Sequence, residues 1–290
     1  MGYWLWTERR RLVRRTAWEK EWNSLQKREE RYLKRRESPR ESGISRLLED
    51  KVPKKLQGIL DAAFLKGFDA VFSKGNAVIE RTYSSERQRQ DYKIREFAAA
   101  VRRDRKSLRA FSRTARGGSW INLAISAAEG VGLGVLGIGL PDIPLFLGVL
   151  LKSVYQIALS YGFEYASPEE RHLILKIIET SLMDGEELRR ADMGVNELME
   201  HMAAKEDGGK SGQGDDGGKL RAEDGQNPDR QIKRTAEALS RELLYMKFIQ
   251  GLPVVGVVGG IGDAVCLKKV TGYVEMKYRR RFLLRIKACM

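Results

Sequence analysis

The sequence predicts an all-α protein: a helical core built around two glycine-rich helical hairpins, with an amphipathic N-terminal arm and a polar linker. Three observations carry this. Apolar residues recur at three- and four-residue steps, as in Leu56, Ile59, Leu60, Ala63, Phe64, Gly67, Phe68, Val71 and Phe72. Two charge-poor stretches, near residues 120–151 and 251–262, each combine a Leu-Pro pair with glycines four apart. Helix punctuation is explicit, above all in Ser167-Pro168-Glu169-Glu170, which reads as an N-cap, a proline at the first helical position and the glutamate of a capping box.

Composition narrows the class. The chain has 290 residues and is 42% hydrophobic, with 53 Lys and Arg against 39 Asp and Glu for a net charge of +14. A disulfide-stapled miniprotein and a disordered polyelectrolyte are both excluded. The surplus charge calls for an anionic partner. Only two cysteines, Cys266 and Cys289, and two histidines, His172 and His201, are present, without metal-ligand spacing. No catalytic residue, cofactor or metal is therefore predicted. Aromatic residues precede the basic ones at the N-terminus, the reverse of a secretory signal, and no lipidation pattern is readable, so a cytoplasmic location is expected.

Residues 1–40 read as a basic amphipathic helix, with Trp18, Trp22, Leu25 and Tyr32 at helical spacing. Residues 41–204 form the first part of the core. Within it, Gly130 and Gly134 make a GxxxG beside the ladder of Ala128 and Gly132, a pattern that permits close helix approach. Pro141 then stops one helix, Asp142 is placed to cap the next, and Pro144 is tolerated in a first turn. The second helix runs to about Tyr161 with Gly162 beyond it. Its stripe of Phe146, Leu150, Val154, Ile157 and Tyr161 faces away from Gly148, Lys152, Gln156 and Ser160, which argues against lipid on every side.

Residues 205–230 are too polar to offset the entropy of ordering and read as a linker. Residues 231–290 hold the second glycine-rich segment, with Pro253, Gly256 and Gly260, and then a basic helix over 277–287. Gly132 to Gly137 satisfies GxGxxG, but helix-like residues precede it and Pro141 follows too soon for a dinucleotide fold. Gly209-Lys210-Ser211 lacks the first glycine and the strand of a P-loop.

Basic amphipathic helices with aromatics, beside apolar hairpins, favour a membrane surface over nucleic acid, for which no reading element is found. Arg279, Arg280, Arg281 and Arg285 are the expected anionic-lipid contacts.

The chain resembles the EcsC protein family. The resemblance rests on Trp18-Glu19, Val52-Pro53-Lys54-Lys55, Gly117-Gly118, Leu140-Pro141-Asp142-Ile143-Pro144, Tyr161-Gly162, Pro168-Glu169-Glu170-Arg171, Gln250 to Gly260, and Arg279 to Phe282. It implies an all-helical core. It also marks Pro141, Asp142, Tyr161, Gly162, Glu170, Pro253, Gly256 and Gly260 as family-signature or interaction residues. The family takes its name from a bacterial gene beside an ABC-transporter operon, which implies a regulatory or assembly role at a transporter or secretion system. The chain departs from the family where Phe163-Glu164 follows Tyr-Gly instead of Asp, and where Asp263 stands for Asn.

Three functions stay open on these grounds. The first is a non-enzymatic, membrane-associated protein, peripheral or partly inserted, whose partner is an anionic membrane surface or a membrane protein. The second is a hydrolase or lipid-modifying enzyme working near Asp142, Glu129, Lys152 and Tyr161. The third is a soluble interaction module for an acidic protein.

Overall fold

A computed structural model describes residues 16–38, 54–72, 79, 83–117, 143–208, 228–249 and 259–288. Among them are nine helices and no strand, so the protein is all-α. They are α1 (Ala17–Arg35), α2 (Lys54–Ala70), α3 (Ser85–Arg102), α4 (105–117), α5 (Ile143–Ser160), α6 (Pro168–Leu182), α7 (Gly185–Gly208), α8 (Pro228–Ile249) and α9 (Gly259–Ala288).

The ends of these helices follow local chemistry. Thr16 and Glu19 form a reciprocal capping box at the start of α1, where the T-x-x-E pattern carried the signal. Ser167 accepts from the Glu170 amide and Pro168 follows it, as expected. The returning half of that box is absent because both carboxylate oxygens of Glu170 are engaged elsewhere, with Tyr278 and Arg281. Helix α5 ends in a Schellman motif: Gly162 N–H donates to Leu159 O and Phe163 N–H to Ala158 O, each at 3.0 Å. Gly162 sits at φ +76°, and a Cβ there would lie 2.2 Å from Tyr92 Cζ.

The core is one cluster to which all nine described helices contribute. Helix α9 packs against α1, α5, α6, α7 and α8, while α2 lies across α8 and α5, and α3 against α5. Residues 273–279 of α9 are all buried. Seven successive residues span nearly two turns, so this part of α9 is enclosed on every side. Helix α1 belongs to the same core: Trp18 Nε1 donates to Leu283 O at 2.8 Å, and Leu25 is fully buried. Of the expected α2 face, Leu60, Phe64, Gly67, Phe68 and Val71 are buried, whereas Ile59 is 48% exposed and lies off it.

Helix α5 is the one described helix long and apolar enough to cross a membrane, and it is 67% buried within the protein. Pro144 occupies its first turn as expected. The partner helix of that hairpin, its Leu140-Pro141-Asp142 turn, and Pro253 and Gly256 of the second glycine-rich segment lie outside the described residues. Gly260 falls in the first turn of α9.

Two glycines set a contrast. Gly162→Ala places a methyl against the Tyr92 ring at a left-handed position, and should cost about 2–4 kcal/mol in urea denaturation. Gly148 in α5 has nothing within 4 Å of its would-be Cβ. Gly148→Ala should stabilise by up to about 1 kcal/mol in the same assay.

Candidate functional site: a buried ion-pair core and a basic cleft

The basic helix predicted from the sequence is the centre of the core, and its cations face carboxylates from the helices around it. Arg279 donates to Glu21 of α1 at 2.5 Å, and Glu21 also accepts from Arg109 at 2.9 Å and from Arg105. Lys277 is fully buried and reaches Asp192 at 2.7 Å, Glu29 at 3.2 Å and Asn196 Oδ1 at 2.9 Å. Arg280 meets Glu29 at 3.0 Å and lies over the Trp22 ring. Arg281 donates to Glu170 at 2.6 Å, the carboxylate to which Tyr278 also donates at 2.6 Å.

Arg285 closes the end of α5. Its guanidinium donates to Tyr161 O at 2.8 Å, Gly162 O at 3.1 Å and Tyr92 Oη at 2.6 Å. A cation is favoured there, where the last carbonyls of a helix are otherwise unsatisfied. Phe163, the residue at which the chain departs from the family pattern, lies beneath both Arg281 and Arg285, whose guanidinium carbons are 4.1 and 4.3 Å from its ring centroid. Glu164, beside it, takes a bidentate bond from Arg89 at 2.7 and 2.8 Å.

The four arginines expected to contact lipid are thus held by groups of the protein itself. The run reads as a solvated basic face only while its carboxylates, scattered over α1, α6 and α7, are out of view. A signal was present: Glu21 and Glu29 fall four residues either side of Leu25, inside the apolar stripe of α1.

Of the signature residues, the structure brings together Tyr161, Gly162 and Glu170 with the arginines of α9. Tyr161 is fully buried; its hydroxyl donates to Glu275 at 2.9 Å and pairs with Ser112 Oγ at 2.9 Å. Burial, then the negative charge of Glu275, pushes that phenol well above its ordinary pKa. A hydroxyl so enclosed is not presented to a substrate. Asp142 and Glu129, which an enzymatic site would share with it, lie outside the described residues. His172 is half-buried, with its pKa lowered by burial and by Lys176, and His201 is exposed. No metal-binding cluster occurs among the described residues.

Glu275 also forms the floor of an open cleft of about 940 Å³ between α1 and α9. Arg28, Arg31 and Arg35 of α1 and Arg36 just beyond it line the cleft, facing Lys268 and Lys269 of α9 and Arg116 from the end of α4. Among the described residues, two carboxylates share the lining. Asp184 accepts from Arg36 Nε at 2.6 Å; Glu275 takes Arg28, and Arg116 at 3.5 Å. Tyr32 stands in the wall, its phenol pushed up to about 12 by burial against the opposing charge of Arg36. Sequence reasoning passed over this cleft, although Arg28, Arg31 and Arg35 sit at i, i+3 and i+7 on one helix face.

A known family matches almost the whole chain: the EcsC protein family model covers residues 19–283. The chain belongs to the EcsC protein family. No curated protein and no solved structure matches this EcsC protein.

The buried pairs and the surface pairs should separate in stability measurements. Glu170→Ala strands Arg281 and Tyr278 in the interior and should cost this EcsC protein about 3–5 kcal/mol. Glu164→Ala removes a pair whose side chains are 62% and 35% exposed and should cost under about 1 kcal/mol. Glu21 gives a pH dependence. Burial by itself raises its carboxyl, but the Arg105 bond and the charges of Arg279, Arg109 and Arg105 outweigh this and hold it below the ordinary range. A depressed folded pKa contributes stability above the unfolded value, and that contribution disappears as pH falls through the folded one. Urea denaturation between pH ~7 and ~3 should therefore show acid destabilisation that is shallower in Glu21→Gln.

Proposed function

We propose that this EcsC protein is a peripheral, membrane-associated protein that rests on an anionic bilayer through the outward face of α3, and serves a membrane transporter or secretion system as a regulatory or assembly factor. The observation that supports the membrane contact is the exposure of Ile94, Phe97 and Val101, at 67%, 73% and 66%. Their i, i+3, i+7 spacing puts three large apolar side chains on one side of α3, while Tyr92 is the buried residue of that helix. Singly exposed apolar residues are ordinary; an ordered stripe on a helix is the pattern of an interfacial segment.

The net charge of the whole chain supports an anionic occupant; on α3 and just beyond it, exposed Arg87, Lys93, Arg102 and Arg103 are matched in number by exposed Glu86, Asp91, Glu96 and Asp104. The interior pairs of α9 are neutral in sum, so the surplus of +14 resides outside them. Basic residues near an anionic surface contribute about 1 kcal/mol each. The bilayer contact is assigned to α3 and not to α5, because α5 is mostly enclosed by its neighbours. The role beside a transporter rests on the family resemblance alone.

Sedimentation of the full chain with phosphatidylcholine vesicles, with and without phosphatidylglycerol, tests the contact. Binding should require the anionic lipid and weaken with salt. Ile94→Asp/Phe97→Asp should reduce it about tenfold or more, since burying even one such side chain is worth about 1.5–3 kcal/mol. Unchanged binding by the double variant, or no binding at low salt, overturns the proposal. Conversion of a dimer into a monomer by the same substitutions would assign the stripe to a second copy instead.

A further inference from the structure

We infer that the cleft between α1 and α9 binds a phosphorylated ligand, its phosphate seated among Arg28, Arg31, Arg35 and Arg36 above Glu275. This goes beyond the membrane contact of α3 and does not depend on it.

Three features of the cleft carry the inference. The first is uncompensated charge. The five arginines of the lining share Asp184 and Glu275 as its carboxylates among the described residues, three positive charges in excess, while Lys268 and Lys269 have partners of their own. Elsewhere along α9 the protein answers each buried cation with a carboxylate, so the imbalance is particular to this place. Like charges at i, i+3 and i+7 along α1 repel one another, and a bound polyanion would reverse the sign of that interaction.

The second feature is Arg36. Its Nε bonds Asp184 and its Nη1 bonds Ser181 O at 2.7 Å and the Tyr32 hydroxyl, yet Nη2 is buried and meets no acceptor among the described residues. An unsatisfied donor on a buried cation is costly in an empty site and useful in a filled one. The third is shape. A volume of about 940 Å³ falls within the range of small-molecule sites, roughly 300–1,000 Å³.

Phosphate fits better than carboxylate. Planar guanidinium forks match its oxygens two at a time, and several arginines can share one tetrahedral group carrying more than one charge. Such a group comes either from a soluble organic phosphate or from the headgroup of a phosphomonoester lipid.

Calorimetry of the full chain with inorganic pyrophosphate tests the site without any membrane. Sedimentation with phosphatidylcholine vesicles containing phosphatidic acid tests the lipid source. Arg31→Ala/Arg35→Ala removes two exposed guanidiniums that take no part in the core. Arg230→Ala/Lys233→Ala on α8 removes equal charge from another exposed surface. The expected result is binding of at least one probe that the α1 pair of substitutions weakens about tenfold or more, while the α8 pair changes it little. Pyrophosphate binding without preference for phosphatidic acid points to a soluble ligand; recruitment by phosphatidic acid alone points to the headgroup. Failure to bind either probe at low salt, or equal weakening by both pairs, overturns the site. Ile94→Asp/Phe97→Asp should leave pyrophosphate binding intact, so failure of the membrane contact and failure of this site are told apart.

Discussion

The fold depends on the enclosure of a cationic helix. Helix α9 carries Lys269, Lys277, Arg279 and Arg281 into positions with little or no solvent contact. Removing such ions from water is costly, and only well-placed counter-charges with further hydrogen bonds offset the loss. The surrounding helices supply them: Glu21 and Glu29 from α1, Glu170 from α6, Asp192 from α7 and Glu242 from α8. Apolar packing tolerates small slips of one helix against another. A lattice of paired charges does not, because a slip strands an ion. The relative setting of α1, α6, α7 and α8 is thus specified through their common partner.

The same requirement explains why the aromatic residues lie where they do. Tyr161, Tyr273 and Tyr278 point their hydroxyls at Glu275, Asp192 and Glu170, filling acceptor positions that the cations leave over. Each phenol is raised well above its ordinary pKa by burial and by the carboxylate it serves, so each remains a donor. Phe163 offers its face to two guanidiniums where a further carboxylate would add charge. Against this closed interior, the α3 stripe and the α1–α9 cleft stand out as places where the pairing of like with like, or of cation with carboxylate, is left incomplete on the protein's own side.

How far the sequence could be read follows from the range of each interaction. Helices and caps are local: Ser167-Pro168, Gly162 and Pro144 announced the ends of α5 and α6 from within a few residues. The family was legible because its strings keep their order along the chain. The fate of Arg279 to Arg285 was not, since their partners are separated from them by more than a hundred residues, as Glu170 is from Arg281 and Glu21 from Arg279. A basic run looks the same on paper whether solvent or carboxylate surrounds it. The clue was indirect, in acids such as Glu21 and Glu29 placed on an otherwise apolar face. Tyr161, Gly162 and Glu170 were singled out as signature positions, but their shared task, joining the end of α5 and the start of α6 to α9, emerged only in three dimensions.

The position of α9 along the chain bears on how the protein is made. It is synthesised after every helix that holds its counter-ions, so until residues 269–285 emerge, Glu29, Glu170, Asp192 and Glu242 lack the cations they meet in the folded protein, and Glu21 has those of Arg105 and Arg109 alone. The emerging chain would then stay loose through most of translation, and the last helix would act as the latch that expels water and completes the interior in one cooperative event.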